Sequence, residues 1–303
     1  MSLYESNPPA LKQSFVCHVD MLGYSQLCKN AIDSNSSDEF LNKIRTALNS
    51  AYARVRERAK SFGDENLFEI KVFTDNIVVG YPVAHFERTL GEGELGHIFD
   101  VLSEFQLGLA MEGFLVRGGI AFGQHYMDDD IVFGDALIEA VKQDRNGGAP
   151  KVTLSPSTRE LLRRHLGFYS DLSWAPQTYD LLQETDGSIF INYLQNAFIA
   201  FPDGGIFFEV FEKHKATVIA GLSEYRSVPS VKAKYEWVAR YHNSVIDNFL
   251  EAHPVPTHPD TDEQYAYALM DAQNLSQYKI DIESFAAVPE RLSLEPIPPQ
   301  PRA

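Results

Sequence analysis

The sequence contains little cysteine, no long apolar run and few cationic residues. Its two cysteines, Cys17 and Cys28, are too few for a disulfide scaffold and lack the spacing of zinc ligands. No apolar run approaches the roughly 20 residues that a membrane-spanning helix needs. The N-terminal sequence lacks the basic and apolar regions of a signal peptide. These absences predict a cytoplasmic protein that does not associate with membranes.

Negative charge dominates the rest of the composition. Lysine and arginine number 26 against 42 aspartates and glutamates, which gives a formal net charge of −16. Such a surface repels the phosphate backbone, so we expect no general nucleic-acid binding. A nucleotide would still bind if metal ions or local cations held its phosphates. Apolar residues make up 44% of the chain, which is ordinary for a globular protein and excludes disorder throughout.

The apolar pattern of the first half alternates between the strand and helix periods. The predicted elements are a strand at 15–21, a helix at 38–60, a hairpin at 67–81, a helix at 95–109, a strand at 115–122, a turn at 128–130, a strand at 131–133, a helix from 135 to about 144 and a strand at 151–154. Strands alternating with helices, with one hairpin interposed, predict an α+β fold. A ferredoxin-like βαββαβ core with helices on one sheet face satisfies this order.

The second half has a different character and predicts a mixed α/β extension. A basic helix at 158–166 is followed by a hairpin turn at Asp186-Gly187, and a long amphipathic helix follows at 231–249. A proline-containing loop leads to one more predicted helix near 262–276. The predicted division is a polar lead at 1–13, a main domain at 14–160, an extension of hairpin and helices at 161–288, and a disordered proline-rich tail at 289–303.

Two aspartates at the ends of predicted strands are the strongest candidates for chemistry. Asp20 ends the first strand and precedes Gly23, and Asp75 lies near the tip of the hairpin. A carboxylate there is costly to bury unpaired, and two that converge repel each other unless cations lie between them. Paired carboxylates hold Mg²⁺ or Mn²⁺ for phosphoryl chemistry. Taken singly, a helix N-cap at Asp20 and a turn residue at Asp75 are the commoner interpretations.

Four segments resemble the motifs of one enzyme family in the order in which that family has them. They are FVCHVDMLGY at 15–24, FTDN at 73–76, VRGGIAFG at 116–123 and VFGDAL at 132–137. Together they resemble the class III nucleotidyl cyclases over about residues 14–155, with Thr74 where glycine is usual. Within that class the chain looks most like the Pycsar pyrimidine cyclases of bacterial anti-phage defence. The resemblance implies that 14–160 is a cyclase catalytic domain.

The resemblance assigns the metal and phosphate contacts. It implies that Asp20 and Asp75 hold two divalent cations, Mn²⁺ or Mg²⁺, with help from the main-chain carbonyl of Met21. The segment that would cradle the triphosphate is Met21, Leu22, Gly23 and Tyr24. Its glycine loop would expose main-chain N–H groups at the start of a helix, where phosphates bind well.

The base-reading positions depart from the family pattern. Lys71 matches the lysine that reads the base, but the second base reader, an aspartate, falls on Ile131. The family's ribose-orienting asparagine falls on Ile138, and its transition-state arginine falls on Lys142, which keeps the charge without the planar fork. An apolar Ile131 suits a smaller base, or a pocket closed by an aromatic such as Tyr52 or Phe73. It equally suits a cyclase-like protein without activity.

The expected function is a pyrimidine nucleotide cyclase that converts UTP to 3′,5′-cyclic UMP and pyrophosphate by two-metal phosphoryl transfer. The alternatives are a cytidylate cyclase using CTP, an adenylate or guanylate cyclase, and an inactive cyclase-like dimerisation or sensing module. In the family the metal aspartates and the helix residues come from different protomers, which implies a homodimer with composite sites. The cyclic nucleotide would activate a separate effector against phage.

Three further positions have competing interpretations. His18 is next to the metal strand position, and packing is the favoured role for it. The aspartates at 128–130 are expected to form a solvated turn rather than a metal site. Arg117 is either a structural arginine in its strand or a phosphate contact, and both interpretations stay open.

Overall fold

The computed structural model describes residues 3–61, 68–73, 75–84, 86–198, 205–254, 269–282 and 289–299. The chain divides into two compact units. The first comprises residues 1–192 together with 291–303, and the second comprises residues 193–290. In the described ranges, no helix is both long enough and apolar enough to cross a membrane.

A mixed sheet forms the centre of the first unit. Its strands are β1 (Lys12–Met21), β2 (Glu69–Phe73), β3 (Asn76–Pro82), β4 (Val116–Met127), β5 (Val132–Gly134), β6 (Val152–Leu154), β7 (Leu181–Gln183), β8 (Ile189–Ile191) and β9 (Glu290–Arg291). They lie in the order β2-β3-β1-β4-β6-β8-β7-β9, and β5 pairs with β4 off this path. The helices of the first unit are α1 (Tyr24–Asp33), α2 (Ser37–Ser61), α3 (Phe86–Thr89), α4 (Glu92–Met111), α5 (Asp135–Gly147), α6 (Pro156–Leu166) and α7 (Gln177–Asp180).

The predicted ferredoxin-like core is confirmed by the order and direction of the first four long strands. Strand β1 is antiparallel to both β3 and β4, and β2 is antiparallel to β3. Helices connect β1 to β2 and β3 to β4, so the order β2-β3-β1-β4 is that of a βαββαβ fold. Since β6 is parallel to β4 while β8 is antiparallel to β6, the whole sheet is mixed and the fold is α+β.

Central strand β1 is buried because it lies between β3 and β4 and contacts helices α4 and α5. Phe15, Val16, Cys17 and Val19 are completely buried, as their continuous apolar run predicts. His18 is also buried in this strand, in agreement with the packing role predicted for it. Strand β1 is therefore a rigid support for Asp20 and Met21 at its C-terminal end.

Several predicted elements are confirmed, and one helix was missed. The predicted helices at 38–60 and 95–109 correspond to α2 and α4, and the hairpin turn at 186–187 joins β7 to β8 with Gly187 at a φ of 80°. The missed helix is α1, which was interpreted as a polar stretch. Its apolar residues do recur at helical spacing, at Tyr24, Leu27, Cys28, Ala31 and Ile32, so the pattern that predicts a helix was present and was overlooked, although only Ala31 is buried.

The boundary between the units falls at residue 192 rather than near 160. Strand β8 pairs with β6 through Thr153 and Phe190, which extends the sheet of the first unit through the β7–β8 hairpin. Residues 161–192 are therefore part of the first unit. Part of the predicted helix at 262–276 lies outside the described residues; within it, 269–272 are helical and 273–278 form a 3₁₀ helix.

The C-terminal tail was predicted to be disordered, and its described part is not. The main-chain N–H of Ile297 donates to the carbonyl of Arg163 at 2.9 Å, and Arg163 Nε donates to the carbonyl of Glu295 at 3.0 Å. These bonds satisfy main-chain groups of the tail and of the last turn of α6. Composition does not reveal them because they involve the tail's backbone. Residues 300–303 lie outside the described ranges.

Helices α8 (Phe208–Glu224) and α9 (Pro229–Ala252) form the core of the second unit. The prediction at 231–249 is confirmed by α9. Two completely buried histidines, His214 and His242, face each other between these helices with a distance of 3.0 Å between their Nδ1 atoms. His214 Nε2 is 2.7 Å from the Tyr193 hydroxyl, and His242 Nε2 is 3.0 Å from the carbonyl of Tyr278.

Candidate active site

Strand pairing brings the two candidate aspartates to the same end of the sheet. Asp20, the penultimate residue of β1, pairs in register with Asn76 at the start of β3. The main-chain N–H of Met21 donates to the carbonyl of Asp75 at 3.2 Å. The backbone therefore holds Asp20 and Asp75 as neighbours although they are far apart in the chain. Thr74, which precedes Asp75, lies outside the described residues.

The loop after Asp20 has the conformation that a glycine allows. The N–H of Leu22 donates to the carbonyl of Leu115 at 2.8 Å, which anchors the loop to the start of β4. Gly23 has a φ of 74°, and a Cβ built there meets nothing within 4 Å. The left-handed backbone, rather than lack of space, therefore favours glycine at this position. Helix α1 begins directly afterwards at Tyr24, so the main-chain N–H groups of its first turn come only a few residues after Asp20 in the sequence.

Tyr24 extends this group of residues toward Asp75. Burial, a hydrogen bond with Cys28 and the nearby Asp75 carboxylate raise the pKa of the Tyr24 hydroxyl. Tyr24 therefore keeps its proton. The four residues of the predicted phosphate cradle thus lie in one loop that begins at the end of β1 and leads into α1.

Asp20 is paired with an arginine that the sequence had left open. Arg117 lies opposite Asp20 in the β1–β4 register. Its Nε and Nη2 atoms are 2.9 and 2.8 Å from Oδ2 of Asp20. The N-cap interpretation of Asp20 is wrong, because the N-cap of α1 is Gly23 and no side chain caps it. Asp75 does lie in a turn, where its Oδ1 accepts a hydrogen bond from Nδ2 of Asn76 at 3.1 Å.

The base-reading candidate Lys71 forms an ion pair with an acidic residue that the sequence analysis did not assign. Lys71 Nζ is 2.7 Å from Oδ1 of Asp129 in the turn between β4 and β5. The predicted acidic partner would have fallen on Ile131, two positions later. Asp129 was missed because the acidic base reader was located by its distance along the sequence from α5. A turn can present any of its residues to a neighbouring strand, so this distance does not identify the residue that meets Lys71.

The turn at 128–130 is exposed as predicted, and it is also well ordered. Asp128 Oδ1 accepts the main-chain N–H groups of Asp130 and Ile131 at 2.9 and 2.8 Å. The hydroxyl of Tyr126 donates to Asp128 Oδ2 at 2.7 Å. These hydrogen bonds, with the Tyr126 bond the largest cause, lower the pKa of Asp128. The turn therefore presents Asp129 to Lys71 in a defined position.

Helix α5 carries the remaining predicted residues on its outer face. Ala136 and Ala140 are buried toward the sheet, whereas Ile138 and Lys142 are exposed and lie one turn apart. Lys142 therefore points away from the sheet that carries Asp20 in the same chain. The structure does not bring Lys142 to the aspartates within one protomer.

Of the two aromatic residues proposed to close a base pocket, one lies elsewhere. Tyr52 in α2 packs against Phe105 of α4 with a ring-centroid distance of 5.8 Å, and burial raises the pKa of its hydroxyl to about 12. Tyr52 thus contributes to the packing of α2 on α4, which corrects the prediction that it closes a base pocket. Phe73 ends β2 and pairs with Asn76, which places it beside Asp75.

Large apolar side chains are exposed on β2, from the β4–β5 turn into β5, and on α5. The apolar rim, as we name it, consists of Val72, Phe73, Ile131, Phe133 and Ile138, which are 42–59% exposed. The Lys71–Asp129 ion pair joins β2, which carries Val72 and Phe73, to the turn between β4 and β5, which leads to the other three rim residues. Exposed apolar residues concentrated in one region are typical of an interaction surface.

The donor atoms at Asp20 and Asp75 fit a magnesium or manganese ion. Both residues supply carboxylate oxygens, the hard donors that these ions prefer. Asp20 is already balanced by a cation, the guanidinium of Arg117. In the described part of the chain, no cluster of three or more histidine, cysteine or acidic side chains could hold a metal. Two carboxylates are enough for Mg²⁺ when substrate phosphates and water complete its coordination.

Comparisons with known proteins identify three solved structures that align with part of the chain. One is the monomeric guanylyl cyclase domain of the RhoGC fusion protein from the aquatic fungus Blastocladiella emersonii, with 13% identity over 60% of this chain and 95% of that chain and a TM-score of 0.38. Another is the guanylyl cyclase Cya2, with 13% identity over 63% of this chain and 95% of that chain and a TM-score of 0.34. A third is the non-canonical dimeric guanylyl cyclase domain of RhoGC, with 14% identity over 59% of this chain and 93% of that chain and a TM-score of 0.34. No protein-family model and no curated protein matches the sequence. Since these identities and TM-scores are low, the fold is assigned from the strand order of the chain itself.

Proposed function

We propose that this protein is a class III nucleotidyl cyclase that forms a 3′,5′-cyclic nucleotide and pyrophosphate from a nucleoside triphosphate. The observation that carries the proposal is the juxtaposition of Asp20 and Asp75 at one end of the sheet, directly before a glycine loop and the start of α1. Carboxylates beside main-chain N–H donors are the arrangement that phosphoryl transfer requires.

Each residue of the site has a distinct role in this proposal. Asp20 and Asp75 would hold two divalent cations, Mn²⁺ or Mg²⁺, with the carbonyl of Met21. When bound, such ions neutralise the triphosphate and lower the pKa of the attacking ribose hydroxyl. The start of α1 would receive the phosphates, since the helix dipole favours an anion there. Positioning and charge provide the acceleration, so no side-chain nucleophile is needed.

For the substrate we propose UTP, with CTP as the second candidate. The apolar Ile131 in place of an acidic base reader supports a smaller base than adenine or guanine. The Lys71–Asp129 pair offers one donor and one acceptor at the edge of the site, which suits the edge of a pyrimidine. The choice of uracil over cytosine depends on the resemblance to the pyrimidine cyclases.

We also propose a homodimer with composite active sites. Lys142 lies on the outer face of α5, so in one chain it does not reach the aspartates that it would assist. A second copy that covers the apolar rim would bring its own Lys142 toward the phosphates as a point charge. The rim residue Ile138 is one turn from Lys142 on the same helix face, which supports an interface at this face.

The first experiment incubates the purified protein with each of the four nucleoside triphosphates and Mn²⁺, and separates the products by chromatography. We expect cyclic UMP from UTP, and we expect Asp20→Asn or Asp75→Asn to abolish it. A purine product alone would exclude the pyrimidine proposal. No product from any triphosphate would favour the second candidate, a cyclase-like binding module, which the Arg117–Asp20 pair and the substitutions at Ile131, Ile138 and Lys142 support.

A mixing experiment tests the composite site. Asp75→Asn and Lys142→Ala are each expected to be inactive alone. After mixing and exchange of subunits, heterodimers contain one intact site, so activity should recover to about a quarter of the wild-type value in a two-fold symmetric dimer. The absence of any recovery under conditions where exchange is demonstrated would contradict sites shared between protomers.

In the cell, we propose that the cyclic nucleotide acts on a separate effector in anti-phage defence. Cells that carry the gene together with its neighbours should survive phage challenge better than cells with the Asp75→Asn variant. Equal survival of cells with the wild-type protein and cells with the variant would show that the enzyme has no role in this defence. The proposed compartment is the cytoplasm, where nucleoside triphosphates are available.

A further inference from the structure

The pair formed by Arg117 and Asp20 engages one of the two carboxylate oxygens with which Asp20 would help to hold the two proposed cations. Both Nε and Nη2 of Arg117 bind the same carboxylate oxygen, Oδ2 of Asp20, at 2.9 and 2.8 Å. Two charged donors on one oxygen use the lone-pair directions that a cation would otherwise take. The side chains are 28% and 15% exposed, so water screens the pair only in part.

The backbone around Arg117 keeps it in register with Asp20. The next two residues are Gly118 and Gly119. A Cβ at Gly118 would collide with the main-chain oxygen of His18, and a Cβ at Gly119 would collide with that of Ala140. Strand β4 is therefore in close contact with β1 on one side and α5 on the other. Arg117 cannot move away from Asp20 by a shift of its strand, so only its side chain can release the carboxylate.

We propose that Arg117 is the counter-ion of Asp20 in the metal-free protein and that a divalent cation binds by displacing it. This inference rests on the proposed function, since it takes Asp20 as a metal ligand. Arg117 thereby sets the metal concentration at which the site loads. Before metal arrives, Arg117 supplies the partner that Asp20 needs, because an unpaired buried carboxylate is costly.

The exchange has a measurable signature in metal affinity. Removing the competing guanidinium by Arg117→Met should tighten Mn²⁺ binding by about tenfold or more, the effect of losing a charge-assisted hydrogen bond. Arg117→Lys keeps the positive charge but replaces the planar guanidinium with a compact ammonium group. Its affinity for Mn²⁺ should therefore lie between those of Arg117→Met and the wild type. The dissociation constants are measured on the full chain by electron paramagnetic resonance of free Mn²⁺.

A matched control uses an arginine pair away from the site. Arg54 pairs with Glu104 at 3.2 Å across helices α2 and α4. Arg54→Met removes an equivalent charge from the same unit and should leave Mn²⁺ affinity unchanged. A gain in affinity equal to that of Arg117→Met would show a general effect of net charge and would overturn the inference.

The same measurement separates the inference from the function on which it rests. If Asp20→Asn weakens Mn²⁺ binding while Arg117→Met binds like the wild type, the exchange is wrong and the metal site stands. If Asp20→Asn and Asp75→Asn both bind Mn²⁺ like the wild type, the proposed metal site itself is wrong.

A second measurement follows the wild-type protein and uses a variant only for assignment. The Nε–H resonance of Arg117, assigned through its absence in Arg117→Lys, is followed in the full-length protein during titration with Mg²⁺. We expect the resonance to shift and to saturate together with metal binding. A resonance that stays constant at saturating Mg²⁺ would overturn the displacement of Arg117.

Discussion

Gly119 lies where helix α5 crosses strand β4, one residue after the glycine that faces β1. A Cβ there would collide with the main-chain oxygen of Ala140, and a main-chain atom cannot rotate away. We expect Gly119→Ala to lower the free energy of unfolding by about 1–3 kcal/mol, the usual cost of overpacking. Chemical denaturation of the two proteins measures the difference.

Gly96 provides the control for this substitution. It lies within α4, and a Cβ built there meets nothing within 4 Å. Gly96→Ala should therefore stabilise the protein by up to about 1 kcal/mol through helix propensity. If Gly119→Ala and Gly96→Ala changed the free energy of unfolding in the same direction, close approach of α5 to β4 would not be the reason for glycine at 119.

Lys71 offers a test of base recognition at the scale of one side chain. In the proposed function it donates to the base, and a hydrogen bond from a charged donor contributes about 1.5–3 kcal/mol. We expect Lys71→Met to lower kcat/KM for the preferred triphosphate by about 10–100-fold. The exposed Lys60→Met in α2 is the control, and it should leave kcat/KM unchanged.

The unfolding free energy should respond little to Lys71→Met, because its partner Asp129 is fully exposed and surface pairs contribute little. A large loss of stability together with the loss of activity would indicate a structural role for Lys71. Equal loss of kcat/KM for all four triphosphates would argue against a role in reading the base.

At the scale of elements, the histidine pair joins helices α8 and α9 through a chain of hydrogen bonds with one allowed direction. The carbonyl of Tyr278 only accepts, so His242 Nε2 carries a proton and its Nδ1 accepts. His214 Nδ1 must then donate, which leaves His214 Nε2 to accept from the Tyr193 hydroxyl. This pattern is that of two neutral imidazoles, the state that burial favours because it lowers the pKa of both rings.

Stability of the second unit should depend on pH for this reason. Burial, with a small contribution from the charge of Lys215, lowers the pKa of His242 to about 4 against the opposing hydrogen bond to Tyr278. Burial and the neighbouring His242 lower the pKa of His214 well below its ordinary value. Since both folded-state pKa values are depressed below the unfolded value, stability is full above about pH 6.5 and is lost as pH falls toward 4.

For His242 alone the loss between pH 7.5 and 5 is about 2 kcal/mol. Denaturant unfolding followed by Trp237 fluorescence at the two pH values measures it, because Trp237 lies in α9. His242→Gln should remove the share of the pH dependence that belongs to His242 and leave that of the buried His214, even if the substitution lowers stability throughout. A wild-type protein with equal stability at both pH values would contradict the neutral pair.

At the scale of the whole molecule, the apolar rim is the surface on which the proposed homodimer depends. Phe133→Glu and Ile138→Glu each place a charge among exposed apolar side chains and should raise the dimer dissociation constant by about tenfold or more. Sedimentation velocity over a concentration series measures this constant. Activity per chain should fall in parallel, since composite sites exist only in the dimer.

Ile219→Glu is the control, because Ile219 is also a large exposed apolar residue, 46% exposed, but lies on α8 in the second unit. It should leave the dissociation constant unchanged. Should Phe133→Glu leave the association state that of the wild type, the apolar rim would not be the dimer interface.

Local sequence patterns predicted most of the fold of the first unit. The continuous apolar run at 15–19, the helical spacing in α2 and α4, and the hairpin at β2 and β3 were all recognisable, because each depends on residues close in the chain. The first helix, α1, was overlooked although its apolar residues recur at helical spacing from Tyr24 to Ile32. The order of these elements was sufficient to predict the ferredoxin-like core.

The candidate site was predictable in its carboxylates but not in their partners. Asp20 and Asp75 stood out because each is a charged residue at the end of an apolar strand. The ion pairs of Asp20 with Arg117 and of Lys71 with Asp129 were not predicted. Each joins residues that meet only because two strands lie side by side in a given register, which local spacing does not report.

The sequence by itself determined the periodic elements, the glycine loop and the acidic strand end, since these follow from backbone conformation and burial within a short segment. The tertiary structure alone decided that β8 extends the sheet beyond residue 160, that Arg117 binds Asp20 and that Lys142 points away from the aspartates of its own chain. The physical reason is that strand register and helix packing are set by contacts between segments distant in the chain, and these contacts choose which charges become neighbours.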